Sequence, residues 1–335
     1  MMVMFAPPAL RSQANFGEVY RKLRDSNSAR VDPPITDPIM FPDWVRAYLD
    51  HTVPPTPSQS IPPHDAVDAC VGPRLVSVGS PYGGHRVVRV AENVLVKANM
   101  PYASSEASTM RYVAARTSIR IPRFFGGDQT RIMMEEVGGC NLDTYIARMT
   151  PTQLHELSHL LKRYLDDLHG LKFHNAQLGQ VDGQPFRNQT FGVGVLPSDA
   201  FQSLQAFNEW LDPLLVEALG SQGAADVIAR LPKMDGRFLI HGDLQPKNIM
   251  VHFSNPDSSR SSMEIAIIDW GSAAIFPSRS WEWAGMVWGI GEMDYGGKWH
   301  VVLRTICPDL GEAKSPLRHE VDAVLKVRGA LSSFS

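Results

Sequence analysis

The stretch that decides the reading of this chain runs from Arg237 to Gly271: RFLI, HGDLQPKN, IMVHF, a polar span ending at Ser262 and Met263, then EIAIID and WG. Its apolar runs Phe238 to Ile240 and Ile249 to Val251 are short, branched and bounded by polar residues, so they read as strands flanking a loop. The loop HGDLQPKN offers one carboxylate, Asp243, and five residues later one amide, Asn248. Pro246 stiffens the turn between them. The span NPDSSRSSM has the composition of an exposed hairpin turn, and the third apolar run, Ile265 to Ile268, stops at Asp269. Two carboxylates and an amide are therefore expected to converge at the ends of neighbouring strands.

Hard cations such as Mg²⁺ take oxygen ligands and prefer one or two carboxylates plus substrate phosphates to an all-protein cage. Asn248 and Asp269 fit that demand. Asp243 is then left to accept a hydrogen bond from a hydroxyl and aim it at a phosphorus atom. The kinase template has the same parts: a catalytic-loop Asp, an Asn five residues on, and a later metal-binding Asp followed by Gly. Here Trp270 stands between Asp269 and Gly271. The opening His-Gly-Asp, where protein kinases carry His-Arg-Asp, resembles the aminoglycoside phosphotransferase and choline kinase group of small-molecule kinases, within the broad phosphotransferase enzyme family. Asp and Asn taken singly are turn and cap residues; their joint occurrence with flanking strands carries the resemblance. His241 is expected to be a structural hydrogen-bonding residue rather than a proton carrier.

The resemblance implies an α+β, two-lobed protein-kinase-like fold, with an antiparallel five-stranded N-lobe sheet carrying one helix and a mostly helical C-lobe. The segments RLVSV, HRVVRV and NVLVK read as an antiparallel meander, and SIRIPRFFGG and TRIMMEEVGG as two more strands. Between the two groups, Ser104-Ser105-Glu106 opens a helical stretch with Glu106, Met110, Val113 and Ala114 on one face. The family pattern implies that Lys97, ending the third strand, contacts nucleotide phosphates and is positioned by Glu106. It also implies that the joining segment Met133 to Val137 receives adenine through the carbonyl of Glu135 and the amide of Val137. Gly79, Gly83 and Gly84 read as an ordinary hairpin turn at least as well as a loop that lets backbone approach phosphates, and their spacing departs from G-x-G-x-x-G. A second departure is Gly271, where many relatives carry glutamate.

Proline content places the start of the compact part near Asp68, and the resemblance implies the division between the lobes. Residues 1–67 form a proline-rich leader with short helices, 68–137 the kinase-like N-lobe, and 138–335 the C-lobe, with the catalytic loop at 241–248. In the C-lobe, Thr150-Pro151 caps a helix whose leucine stripe runs to Gly170. Ser198 is expected to cap another, containing Phe201, Leu204, Phe207 and Leu211. The three tryptophans of SRSWEWAGMVWG read as core, the usual place for tryptophan, or as the wall of a pocket for an apolar or cationic substrate. Glu282, Glu292 and Asp294 read as solvated acids or as part of an acidic surface for a cationic substrate.

A chain of 335 residues is long enough for two lobes. A formal net charge of -3, with no basic block, gives no electrostatic basis for nucleic-acid binding. The N-terminal apolar stretch is short and broken by Pro7 and Pro8, so neither a signal peptide nor a membrane span is expected. Cys70, Cys140 and Cys307 are too scattered for a disulfide framework, and a cytoplasmic location is the expectation.

The expected activity is transfer of the γ-phosphoryl of ATP or GTP, with Mg²⁺, to a hydroxyl of a small molecule. The alternative is a catalytically weak, kinase-like nucleotide-binding or scaffold protein. A protein kinase is disfavoured because Arg279 follows Asp269 by only ten positions, with no Ala-Pro-Glu sequence following.

Overall fold

The computed structural model describes residues 75–78, 86–91, 93–100, 102–173, 176–187, 191, 195–233, 236–254, 262–288, 295 and 297–332. The proline-rich leader, the glycine-containing turn 79–84, the hairpin turn 255–261, and Glu292 and Asp294 lie outside the described residues.

The first half is built on β1 (Leu75–Val78), β2 (Arg86–Ala91), β3 (Val94–Ala98), β4 (Phe124–Gly127) and β5 (Ile132–Glu135), joined in the order β1-β2-β3-β5-β4 with every pairing antiparallel. The alternation of NVLVK sets the register. Val94 and Val96 face inward, and Lys97 pairs across to Val87 on one side and Ile132 on the other. The fourth strand is shorter than SIRIPRFFGG suggests. Residues 118–123 are irregular; Ile119 and Ile121 are buried in the larger core instead of alternating on a sheet. Helix α1 (Ala103–Arg116) packs Ala103 and Ala107 against Met100 and Ile132, while Met110 and Val113 join the core of the second half. One helix therefore belongs to both apolar clusters.

The second half is mostly helical. After β6 (Cys140–Asn141) and the one-turn α2 (Leu142–Tyr145), Thr150 starts α3 (Pro151–Gly170) with a reciprocal capping box: its hydroxyl accepts from Gln153 N at 3.2 Å, and Gln153 Oε1 accepts from Thr150 N at 2.9 Å. The expected leucine stripe buries Leu154, Leu157, Leu161, Leu165 and Leu168. Helix α4 (Leu204–Arg230), broken at Gly220, starts later than expected. Its cap is Ser203, accepting from Ala206 N at 3.1 Å, whereas Phe201 pairs its backbone with Leu178 and Ser198 donates to Asp199. That extended bridge draws Phe201 out of the helix and moves the cap five residues on.

Strand β7 (Phe238–Ile240) enters the loop 241–248 and β8 (Ile249–Phe253) leaves it, as their apolar runs imply, but the two belong to different sheets. β7 pairs with β10 (Ala274–Phe276), and β8 lies between β6 and β9 (Met263–Ile267). The chain closes with α5 (Ser280–Trp288), α6 (Lys298–Ile306) and α7 (Pro316–Leu331). Trp281 of α5 is buried in the core, whereas Trp283, also packed in the core, lines a cavity as well. Among the described residues no helix is long and apolar enough to cross a membrane.

Candidate active site

The loop between β7 and β8 is held from three sides. His241 donates its backbone N–H to Glu282 Oε2 at 2.5 Å. Its ring Nε2 lies 3.0 Å from the Ile268 carbonyl, which can only accept, so Nε2 carries the proton; Nδ1 then accepts from Asp243 N at 3.3 Å. Burial lowers the imidazole's proton affinity, leaving a neutral ring against Trp270. This is the structural hydrogen-bonding role expected of it. Gly242 has φ of 78°, a left-handed backbone that glycine adopts without a Cβ penalty, so glycine between His241 and Asp243 is a conformational requirement. From below, Asn141 Nδ2 donates to the Lys247 carbonyl at 2.6 Å.

Asp243 is 8% exposed. Its Oδ1 accepts from Gln245 Nε2 at 2.9 Å, and its Oδ2 accepts from Asn248 Nδ2 at 2.9 Å and lies 3.0 Å from Lys247 Nζ. Asn248 Nδ2 also donates to the Asp243 carbonyl at 2.7 Å. Both amide protons are thus directed at Asp243, and the side-chain oxygen is the atom Asn248 has left to offer a cation. Ile268 N donates to Asn248 O at 3.0 Å, which sets Asn248 beside the segment entering Asp269.

Asp269 has φ 61° and ψ 67°, a left-handed conformation uncommon for a residue with a Cβ. Its Oδ1 lies 2.6 Å from Lys97 Nζ, and Lys97 also donates to Glu106 Oε1 and Oε2 at 3.1 and 3.0 Å. Lys97 and Glu106 are 4% and 2% exposed. Burial alone would lower the lysine's pKa; the Glu106 and Asp269 carboxylates outweigh it and hold the ammonium above the ordinary lysine value. Burial pushes the Glu106 carboxyl upward, with Lys97 opposing. A Cβ on Gly271 would stand 3.0 Å from Glu106 Oε2 and 3.6 Å from Asp269 Oδ1, so the missing side chain lets the Glu106 helix close on the Asp269 segment.

Glu135 and Val137 sit at the end of β5 and just beyond it. The Glu135 carboxylate pairs with Arg120 at 2.6 Å, and Glu136 makes two bonds to Arg89. The two acids of the joining segment therefore pin it to its own half. The structure brings Lys97, Glu106 and Asp269 into direct contact, and Asp243 with Asn248. Glu135 and Val137 are placed by the strand end, with their side chains outside that cluster.

Three further residues enter the site. Gln245 and Lys247 lie inside HGDLQPKN, where a two- and four-residue offset from Asp243 was a readable signal. Glu282 is different: taken from sequence as a solvated or surface acid, it is fully buried. Its carboxylate accepts from the His241 and Gly242 amides, and burial raises its pKa to about 7. Because the folded value exceeds the ordinary one of 4.5, the protonated form favours folding. The contribution is full below the unfolded pKa and is lost as pH rises through about 7. Glu282→Gln is expected to flatten the decline in stability between about pH 4.5 and 7, a span worth on the order of 3 kcal/mol. Denaturant melts at several pH values read this directly; an unchanged slope would exclude Glu282 as the source.

Oxygen donors from Asn248 and Asp269 suit a hard cation completed by phosphates and water, and the Asp269 side chain is 37% exposed toward any such ligand. Among the described residues no cluster of three or more His, Cys, Asp or Glu forms a self-sufficient metal site.

The parts on the page are an antiparallel sheet with one helix and a buried lysine–glutamate pair, and a mostly helical half with an Asp–Asn loop and a second Asp. The model of the phosphotransferase enzyme family matches residues 74–277, more than half of the chain, and the chain belongs to that family. Among solved structures it is similar to the streptomycin–ATP ternary complex of the aminoglycoside phosphotransferase APH(2″)-IIa, with a TM-score of 0.50 and 12% identity over 80% of this chain and 88% of that one. Aminoglycoside-3′-phosphotransferase of type VIII gives a TM-score of 0.47 and 18% identity, over 79% and 98%. Plasmodium vivax ethanolamine kinase gives 0.42 and 12%, over 72% and 68%. At these identities the first likeness speaks to the fold, a protein-kinase-like architecture. No curated protein sequence matches the chain.

Proposed function

We propose that this phosphotransferase transfers the γ-phosphoryl group of ATP or GTP, in a Mg²⁺-dependent reaction, to a hydroxyl of a small molecule. The observation that supports it best is one continuous cluster. Lys97 touches both Glu106 and Asp269, and Asn248, bonded to Asp243, meets the residue before Asp269 through its backbone.

In this reading the triphosphate takes over part of the charge that Asp269 now offers Lys97, while Glu106 keeps the ammonium in place. The Glu135 carbonyl and Val137 amide receive the base. Asn248 and Asp269 would hold Mg²⁺, which supplies neutralisation of phosphate charge when bound. Asp243 accepts the acceptor's hydroxyl proton and orients its oxygen in line with phosphorus. The new O–P bond forms as the bond from γ-phosphorus to the β–γ bridging oxygen breaks. The diphosphate leaves with the electron pair, and the proton passes from Asp243 to solvent. Lys247 Nζ stands 3.0 Å from Asp243 Oδ2 and helps to fix where that carboxylate points. A cytosolic location belongs to the reading, since triphosphates and Mg²⁺ are available there and the free thiols Cys140 and Cys307 persist in a reducing compartment.

The test is binding. A ligand that binds only the native state stabilises it by about 2.7 kcal/mol at a hundred times its Kd, so Mg²⁺-ATP or Mg²⁺-GTP should raise the melting temperature, and each without Mg²⁺ should raise it less. Folded protein that shows neither a melting shift nor calorimetric heat with either nucleotide at millimolar concentration overturns the proposal.

A further inference from the structure

Helix α1 carries Glu106 in its first turn, yet it begins without a side-chain cap: Tyr102 occupies the N-cap position and makes no capping hydrogen bond. An uncapped first turn leaves orphan N–H groups and frays readily. The restraint it lacks is supplied from the other half of the molecule. Residues 176–187 form a strap with both roots fixed. Gly179 exchanges two backbone hydrogen bonds with Ile275 of β10, at 3.2 and 2.7 Å, and Leu178 exchanges two with Phe201, at 2.8 and 2.9 Å. Phe186 is buried 4.5 Å, ring centre to ring centre, from Phe276. Between these roots, Gln180 N to Gln184 O at 2.7 Å and Gly183 N to Gln180 O at 3.0 Å close a tight turn.

The turn reaches the start of α1. Asp182 Oδ2 accepts from Ser105 Oγ at 2.9 Å, and the Arg187 guanidinium stands 4.6 Å over the Tyr102 ring. The two contacts grip the residue just before Glu106 and the residue at the helix cap. β10, which anchors the strap, pairs with β7, which delivers His241 and Asp243. The strap thereby refers the helix bearing Glu106 to the strand bearing the catalytic loop.

We infer that Asp182 and Arg187 are positioning residues for phosphoryl transfer. They act through Ser105 and Tyr102 to hold the first turn of α1, so that Glu106 keeps Lys97 in register with Asp243. The inference rests on the phosphotransfer reading above. Displacing a positioned group by about 1 Å can cost on the order of 10²-fold in rate, so a loosened rather than broken helix turn is expected to cost about tenfold.

The experiment measures steady-state nucleotide turnover with water as acceptor, alongside Asp243→Asn as the control for the reading itself. Asp182→Ala and Arg187→Ala are expected to lower kcat about tenfold each, with nucleotide KM moving less than about threefold, since the interaction lost is one made in the transition state. Asp182→Asn, which keeps an oxygen acceptor for Ser105, should retain most of the rate. Ser105→Ala combined with Asp182→Ala should cost no more than either alone, as expected of one shared contact. Hydrogen exchange at the amides of residues 105–110 should speed up in Asp182→Ala and recover in Asp182→Asn. Wild-type kcat and exchange in the Asp182→Ala/Arg187→Ala variant, with Asp243→Asn inactive, overturn the strap's role and leave the reading standing. A rate lost only in proportion to folded protein, with no rescue by Asp182→Asn, overturns it too. Undiminished turnover in Asp243→Asn removes the reading and this inference together.

Discussion

Asp243→Asn is expected to lower turnover by about 10²–10⁴-fold, the range typical of a lost general base or orienting group, while nucleotide affinity in the presence of Mg²⁺ stays near wild type. The substitution preserves shape. Gln245 and Lys247 surround the position, and the new amide still presents an oxygen to Asn248. What is lost is the negative charge that, in the proposed mechanism, accepts the acceptor's proton. Asp269→Asn should behave oppositely, weakening Mg²⁺-dependent nucleotide binding because the charged oxygen ligand a hard cation favours has gone. Calorimetric Kd values with and without Mg²⁺, beside single-turnover rates, separate the two. Equal loss of affinity in both variants would show that the roles are divided differently.

The second large effect is on stability as well as rate. Lys97→Met is expected to destabilise the fold by roughly 3–5 kcal/mol, the usual cost of removing one partner from a buried ion pair. The residue is 4% exposed and bridges two carboxylates, one of which, Glu106, is itself 2% exposed. Removing the ammonium strands the Glu106 charge beside Asp269. Adding Glu106→Gln should restore part of the loss, because contacting residues couple and the double variant buries no unpaired charge there. Urea melts of the four proteins in this cycle measure the coupling. A loss below about 0.5 kcal/mol for Lys97→Met would be the behaviour of a surface residue and would contradict the buried bridge. Turnover should be abolished in both lysine variants, since the restored stability brings back no phosphate contact.

Much of the molecule was legible in the chain because its signals are local. Short branched runs around HGDLQPKN identify β7 and β8, the apolar run in NVLVK identifies β3, and Thr150-Pro151 marks the start of α3. The Asp243–Asn248 spacing is equally local, and one loop satisfies it. Lys97 and Glu106 lie nine residues apart, near enough for a strand and the following helix to present them together.

Other features had no local signal. Ser198 was the expected cap, and Ser203 is the observed one; only the pairing of Phe201 with Leu178 moves the helix start, and backbone pairing between distant segments leaves no mark on composition. Glu282 sits in a tryptophan-rich helix with nothing in its neighbours to say that it faces inward. Its role comes from His241 and Gly242 donating their amides to it across 41 and 40 residues of chain. The grip of Asp182 on Ser105 spans 77 residues in the same way. By itself the sequence determined the residue types, the strands and helices that carry them, and the spacing of the Asp–Asn loop, because these follow from neighbours along the chain. Only the tertiary structure decided that Lys97 reaches Asp269 172 residues away, that Gly271 lies close against the Glu106 carboxylate, and that a buried glutamate holds the loop 241–248. The physical reason is that burial and charge pairing depend on distances in space, and those are set by how the sheets and helices pack.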